Sequence, residues 1–244
     1  MISAAGWKPF QGRTFLRAVA LLFPLSMASL CWAQGAVSGN ISFDSQGGNT
    51  KLGSGDIVVW LTPPASELNA SPTPAPKHAQ LIQKNKHFTP ELLVIPVGSS
   101  VEFPNRDPFF HNVFSLFNGK RFDLGLYQAG ETRAVRFDRV GVSYIFCNIH
   151  PEMHAIIVAL NTPFYAVTRS SGAYSISNVP PGNYELHVWS ERAGSGELSA
   201  LQRTISVSDE PLKLSAMHLR AVQLTAEHKN KFGKDYDRNP ATLY

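Results

Sequence analysis

The six residues Ala155-Ile156-Ile157-Val158-Ala159-Leu160 constrain this chain more than any other stretch of it. They fall far short of the ~20 apolar residues that a membrane-spanning helix needs. Side chains of a strand alternate between faces, so a run apolar at every position is apolar on both faces and belongs in the middle of a sheet, covered above and below. Directly ahead of it stands Tyr144-Ile145-Phe146-Cys147-Asn148-Ile149-His150-Pro151-Glu152-Met153-His154. Read as strand, loop and strand, this stretch puts a thiolate, an imidazole and a thioether on one short connection, a soft nitrogen-and-sulfur donor set. The second imidazole needed to complete the set is His111, in Phe109-Phe110-His111-Asn112-Val113-Phe114.

The rest of the chain also reads as short strands cut by turns. Val37-Ser38-Gly39-Asn40-Ile41-Ser42-Phe43 alternates apolar and polar residues before the Gly-rich turn at 46–49, and Ile57-Val58-Val59-Trp60-Leu61-Thr62 is stopped by Pro63 and Pro64. Residues 65–77, with Pro72, Pro74 and Pro76 among Ser, Ala and Thr, read as an exposed linker. Strand candidates follow at 80–83, 92–96, 100–105, 134–137 and 142–146, with Asp107-Pro108 turning the chain into the His111 strand. From Phe164 the punctuation changes: 164–168, a Ser170-Ser171-Gly172 turn, 174–177, Pro180-Pro181-Gly182, then Tyr184, Leu186 and Val188 alternating with Glu185, His187 and Trp189. Ile205 and Val207, then Leu212, Leu214 and Met217, suggest two more strands, and beyond Gln223 the chain is a polar tail, docked or loose. No apolar 3.6-residue period persists, so almost no helix is expected outside the first residues. Short strands at this spacing predict an all-β chain built as a β-sandwich.

Residues 1–17 carry Lys8, Arg13 and Arg17 without an acid, an apolar stretch follows at 18–30, and Cys31-Trp32-Ala33 offers small side chains for cleavage. That is the pattern of a secretory signal peptide over 1–33. A lipoprotein reading of Cys31 is disfavoured because Leu30 stands where a small residue is wanted. Without the leader, 19 basic side chains face 18 acidic ones, which gives no warrant for nucleic acid or an anionic membrane as partner. Cys147 is then alone, and a lone thiol in an oxidising compartment is a liability unless buried or bound. No second apolar run is long enough to span a membrane, so a soluble exported product is expected.

A thiolate and two neutral imidazoles in a trigonal array with a long axial thioether make a blue-copper electron-transfer site. Cys147, His150 and Met153 stand in the order C-x2-H-x2-M, with His111 coming from a separate strand. An inert buried cysteine beside unrelated histidines is the bland alternative; Met153 on the same loop and His111 on an aromatic strand weigh against it. Structural zinc prefers two to four thiolates, and the processed chain has one. Met153 is the weakest of the four, and the adjoining His154 competes for the axial place although its side chain should face the other way. Asn112 is read as an amide tie between the two ligand segments and Pro151 as a stiffener of the loop. Phe109, Phe110, Pro151 and Met153 are read as an apolar rim through which one edge of His150 reaches solvent; ordinary turn chemistry and core packing are the competing readings.

These motifs carry a resemblance. Phe88-Thr89-Pro90, Val97-Gly98-Ser99-Ser100-Val101 leading to Phe103-Pro104-Asn105-Arg106-Asp107, His111-Asn112-Val113 and the Cys147 to Met153 loop together resemble a cupredoxin, with loop spacing similar to that of amicyanin. Phe122-Asp123-Leu124-Gly125-Leu126-Tyr127 is similar to a segment of periplasmic methylamine utilization or plastocyanin-like proteins. The resemblance implies a Greek-key β-sandwich over 78–161 holding one type 1 copper ion on His111, Cys147, His150 and Met153. Residues 34–64 and 162–222 resemble the two parts of a carboxypeptidase-regulatory, prealbumin-like β-sandwich, which implies that the cupredoxin-like stretch is inserted into it after the 65–77 linker, with 223–244 as the tail.

The function expected from this reading is that of a periplasmic carrier of single electrons, docking a protein redox partner near His150. A copper-trafficking protein would use the same ligands in a more exposed, labile site. An envelope scaffold with a structural copper is the third reading. Enzymatic activity is disfavoured: oxidase or nitrite-reductase chemistry on this fold needs a further copper centre, usually built from His-x-His pairs, and the eight histidines include no such pair.

Overall fold

The computed structural model describes residues 35–44, 56–64, 74–116, 119–222 and 229–236. The expected leader over 1–33, the 46–49 turn and residues 65–73 of the expected linker lie outside them. In chain order the strands are β1 (Gly35–Phe43), β2 (Val58–Thr62), β3 (His78–Gln80), β4 (Ile82–Lys84), β5 (His87–Thr89), β6 (Leu92–Pro96), β7 (Ser100–Pro104), β8 (His111–Ser115) and β9 (Phe122–Tyr127). They continue as β10 (Thr132–Arg136), β11 (Gly141–Cys147), β12 (His154–Leu160), β13 (Tyr165–Val167), β14 (Ala173–Val179), β15 (Gly182–Trp189), β16 (Arg203–Val207), β17 (Leu212–Lys213) and β18 (Met217–Leu219). Among the described residues one helix, α1 (Ser195–Leu201), accompanies the strands. It is too short for an apolar period to reveal it in the sequence. It is held by packing of Leu198 and Leu201 on a core and by Glu197, whose carboxylate accepts the Arg220 amide.

The strands form two sandwiches. In the flanking one, β14-β1-β17 with β18 also on β1 faces β13-β2-β15-β16, and Val37, Ile41, Leu61, Ile176, Leu186 and Ile205 fill the space between. In the central one, β6-β12-β11-β8-β9 faces β10-β7-β3 across Val101, Phe103, Val113, Ile145 and Ile157. β1 pairs with β14, β17 and β18, and β2 with β13 and β15, so the first two strands find all their partners beyond Leu160. The turn before β14 closes on Gly172, at φ +82 where a side chain would be strained, and its carbonyl accepts the Ile41 amide.

β12 is covered on both sides, as its sequence requires. Ala155, Ile157 and Ala159 enter the central core, while Ile156, Val158 and Leu160 pack with Val58 in a second cluster. β2 divides in the same way: Val59 and Leu61 face the flanking core, Val58 and Trp60 the shared cluster. Trp189, Tyr165, Leu92 and Tyr144 close that cluster. Each fully buried Val or Ile contributes about 1.5–3 kcal/mol relative to exposure, so the two sheets meet through a dry face that neither sandwich could leave in water.

Candidate metal centre

The period of two along β11 turns Ser143, Ile145 and Cys147 inward, so the thiol arrives at the strand's last residue already inside the core. β8 lies beside β11 with Val113 opposite Cys147, which leaves His111, the first residue of β8, just past the end of the pair. The loop that follows Cys147 folds back on itself: the Cys147 amide donates to the Met153 carbonyl and the Met153 amide to the His150 carbonyl, both at 3.1 Å. His150 is thereby returned over the strand end. His111 Nδ1 lies 3.7 Å from Cys147 Sγ and His150 Nδ1 3.6 Å from it, and the three donor atoms all lie within 4.8 Å of one another.

Those spacings can be compared with what a shared ion demands. Bonds of about 2.0–2.1 Å to nitrogen and 2.3 Å to sulfur, at angles between tetrahedral and trigonal, separate N from S by about 3.6–3.8 Å. Both N···S separations are therefore those of two donors sharing one transition-metal ion. Met153 is fully buried in the same core cluster as Cys147, next to the donors in the fold.

The surroundings favour neutral imidazoles and, with no ion bound, a neutral thiol. Burial pushes the Cys147 thiol up, while the backbone N–H groups of Asn112, Ile149 and His150 directed at it pull the other way. Burial lowers His150 to about 4, helped by the neighbouring His111 and Lys86. His111 is also lowered, mainly by burial, against the opposing pull of Asp107. Burial alone would raise Asp107, but the amides of Lys86 and Asn85 and the His111 ring outweigh it and hold the carboxyl below its ordinary value. The ionised carboxylate can only accept, so His111 Nε2–H donates to Asp107 Oδ2 at 2.8 Å and Nδ1 is left with its lone pair toward the sulfur. Asp107 is itself placed by the β4–β5 turn, whose Asn85 and Lys86 amides reach it at 2.6 and 2.9 Å, and by Asn105 Oδ1, which accepts the Asp107 amide at 3.0 Å.

No family model matches the chain, and no curated protein matches it. Cupredoxins are similar to it over about a third of its length. A purple cupredoxin from Nitrosopumilus maritimus is 29% identical with a TM-score of 0.31, over 34% of this chain and 99% of that one. A copper-containing nitrite reductase from Thermus scotoductus is 28% identical with a TM-score of 0.33, over 36% of this chain and only 23% of the reductase. Amicyanin from Paracoccus versutus is 19% identical with a TM-score of 0.32, over 34% and 81%.

The structure brings His111, Cys147 and His150 together and buries Met153 beside them, and it revises their setting in three ways. His150 is only 2% exposed: the Phe109 ring lies against both imidazoles, with centroids 5.2 and 5.6 Å away, so His150 is almost wholly covered. Met153 belongs to the core and not to the rim, which leaves Phe110, 55% exposed, with Phe109 and Pro151 there. The Asn112 side chain does not bond the Cys147 segment directly; its Nδ2 donates to Asp123 Oδ1 at 2.6 Å, and the two segments are tied by the β8–β11 ladder and, past its end, by a main-chain bond from the Asn148 amide to the Asn112 carbonyl, 3.4 Å. His154 faces away, lining a cleft of about 480 Å³ with Trp189 and Glu191. Sequence reasoning gave Asp107 no role at the site, quoting it only as part of a turn and of the motif that carries the resemblance; a carboxylate in the turn that opens a ligand strand was the available signal. It also missed the segment 229–236, whose Tyr236 hydroxyl donates to the Cys147 carbonyl at 2.7 Å; nothing in its composition marks it.

Proposed function

We propose that this protein is a periplasmic type 1 copper protein that carries single electrons between redox partners, with His111, Cys147, His150 and, axially, Met153 as ligands. The observation that carries the reading is the convergence of two Nδ1 atoms on one buried sulfur at 3.6 and 3.7 Å. Copper bound there would supply a one-electron Cu(I)/Cu(II) couple. The chain's own part is to hold the donors still: the strand ends fix Cys147 and His111, Asp107 fixes the tautomer and ring plane of His111, and three amides fix the sulfur. Ligands set by the sheet and not by the ion keep nearly the same positions in both oxidation states, which lowers the reorganisation each transfer needs.

Burial of His111, Cys147 and Met153 at 0% and of His150 at 2% supports a carrier over a trafficking protein, whose ion must come and go. Phe109 covers the imidazoles and Phe110 stands exposed beside it, so the face around these rings is where a redox partner would dock, exchanging electrons with His150 through the Phe109 ring. In the same reading, 1–33 is an export leader, and the pairing of β1 and β2 with strands beyond Leu160 supports a cupredoxin-like unit inserted into a prealbumin-like sandwich. Titrating metal-free protein with Cu(II) tests the function. One equivalent should produce an intense visible thiolate-to-Cu(II) band and a reversible one-electron couple. Failure to bind stoichiometrically, or rapid loss to a mild chelator with no reversible couple, overturns it.

A further inference from the structure

The β8–β11 ladder joins the two ligand-bearing segments as far as the Cys147–Val113 pair; past its end the main chain adds a 3.4 Å bond from the Asn148 amide to the Asn112 carbonyl. A further connection comes from far along the chain. Residues 230–234 form a self-closed turn: Asn230 Oδ1 accepts the amides of Phe232 and Lys234 at 3.0 and 3.1 Å, the Asn230 amide donates to the Lys234 carbonyl at 2.9 Å, and Gly233 takes φ +75 to close it. Lys229 and Asp235 pair across its base. From this turn the Lys231 amide donates to Asn148 Oδ1 at 3.0 Å, while its ammonium donates to Asp123 Oδ2 at 2.7 Å. Asp123 holds Asn112 through its other oxygen. Lys231 thus spans from the residue after Cys147 to the partner of the residue after His111. Tyr236 adds a direct contact, its hydroxyl on the Cys147 carbonyl at 2.7 Å.

We propose that residues 229–236 brace the copper site, with Tyr236 and Lys231 as positioning residues that lock the Cys147 segment to the His111 segment. The proposal rests on the copper reading for its consequence and on strand and loop geometry for its substance. The phenol stays a donor at ordinary pH, since burial pushes the Tyr236 hydroxyl above its usual range. Partners outside the ligand set are worth about 10–100-fold in metal affinity, so a brace that fixes two ligand segments at once belongs in that range.

The test uses the full chain and the variants Tyr236→Phe, which keeps the ring and removes the hydroxyl, Lys231→Met, and Lys231→Arg, which keeps the ion pair. Hydrogen exchange is read first, on metal-free protein. Amides 147–153 should exchange faster in Tyr236→Phe and Lys231→Met, and at the wild-type rate in Lys231→Arg. Copper-loaded protein is read next: the dissociation constant should rise about tenfold in the first two variants, the visible band and the reduction potential should move with it, and Lys231→Arg should restore all three. Unchanged exchange in Tyr236→Phe and Lys231→Met overturns the brace whatever the metal does. Faster exchange in a chain that takes up no copper would keep the brace and defeat the functional reading, so the two failures are distinct. A loss of melting temperature with exchange, affinity and potential unchanged would also overturn it, because a merely structural contact behaves that way.

Discussion

The two sandwiches of this protein are made from the same material, short and mostly antiparallel strands around apolar cores, yet they end those cores differently. The flanking sandwich ends its core in apolar rings, Phe164 against Tyr184 with centroids 5.9 Å apart, and the Tyr184 hydroxyl is spent on the nearby Pro180 carbonyl. Its His187 stacks on Trp60 and bonds Thr62 Oγ1 at 2.8 Å, a histidine satisfied by its neighbours in the sheet. The central sandwich ends its core in a thiol and two imidazoles turned toward one another. An unpaired buried polar group costs about 2–7 kcal/mol, so a core that keeps such groups needs either partners for them or an occupant. Asp107 and the amides of Asn112, Ile149 and His150 provide partners for the outer side of the cluster; the inner side, three donor atoms within 4.8 Å, is the part shaped for an occupant.

The comparison breaks most completely at Cys147. Cys147→Ser replaces the sulfur by a poorer donor while leaving the strand pairs intact. The visible thiolate-to-Cu(II) band should vanish altogether and copper affinity should fall below stoichiometric binding, while circular dichroism stays that of an all-β chain. A retained band would mean that the sulfur is not a ligand. Leu61→Ala cuts the other way. Leu61 is fully buried in the flanking core, and removing its side chain should cost about 2–5 kcal/mol in denaturant unfolding. If the two sandwiches divide structure from chemistry as described, copper affinity and the visible band measured well below the transition should not change. A shifted band in Leu61→Ala would show that the flanking core tunes the site through β2 and β12.

Acid should separate the two regions again. In metal-free protein His150 titrates at about 4 because it is buried beside His111 and Lys86, whereas in the unfolded chain it titrates near 6.5. Between those values the unfolded chain binds the extra proton, so lowering the pH favours unfolding. The stability that His150 contributes is therefore complete above pH about 6.5 and is lost as pH falls toward 4, by at most about 3 kcal/mol for this one group. Saturating copper, which keeps the folded imidazole neutral to lower pH, should raise stability at every pH and carry the loss on below pH 4, where the metal-free slope levels off. Urea unfolding at pH 7, 5.5, 4.5 and 3.5, with and without the ion, measures it; a loss that levels off near pH 4 with copper as well as without would mean that the ring is not a ligand.

How much of this was legible in the sequence follows the range over which each cause acts. The period of two, proline stops and glycine turns are local, so β1, β2, β6, β7, β11, β12 and β15 stand close to where alternation puts them, and the double burial of β12 follows from six apolar letters. The ligand candidates were legible because Cys147, His150 and Met153 share one loop. Asp107 was not, because its role depends on the β4–β5 turn arriving beside it, and the 229–236 turn was not, because Lys231 meets Asn148 and Asp123 from 83 and 108 residues away along the chain. Solvent access to His150 was misjudged for the same reason: the ring that covers it, Phe109, is brought there by the fold of residues 105–109, where Asn105 Nδ2 donates to the Phe109 carbonyl at 2.8 Å.

The smallest expected effect is the sharpest test of where core ends and site begins. Met153 sits in both, fully buried among the central core residues and one short loop from Cys147. Met153→Leu conserves volume and should cost less than about 1.5 kcal/mol of stability, so the core reading alone predicts almost nothing. If the thioether is a long axial ligand, copper should stay bound with a band of altered intensity, and the reduction potential should rise, because the doubly charged ion loses more from the missing donor than Cu(I) does. A band and a potential both identical to the wild type would make Met153 filler, and the centre would then be a three-ligand site closed by packing alone.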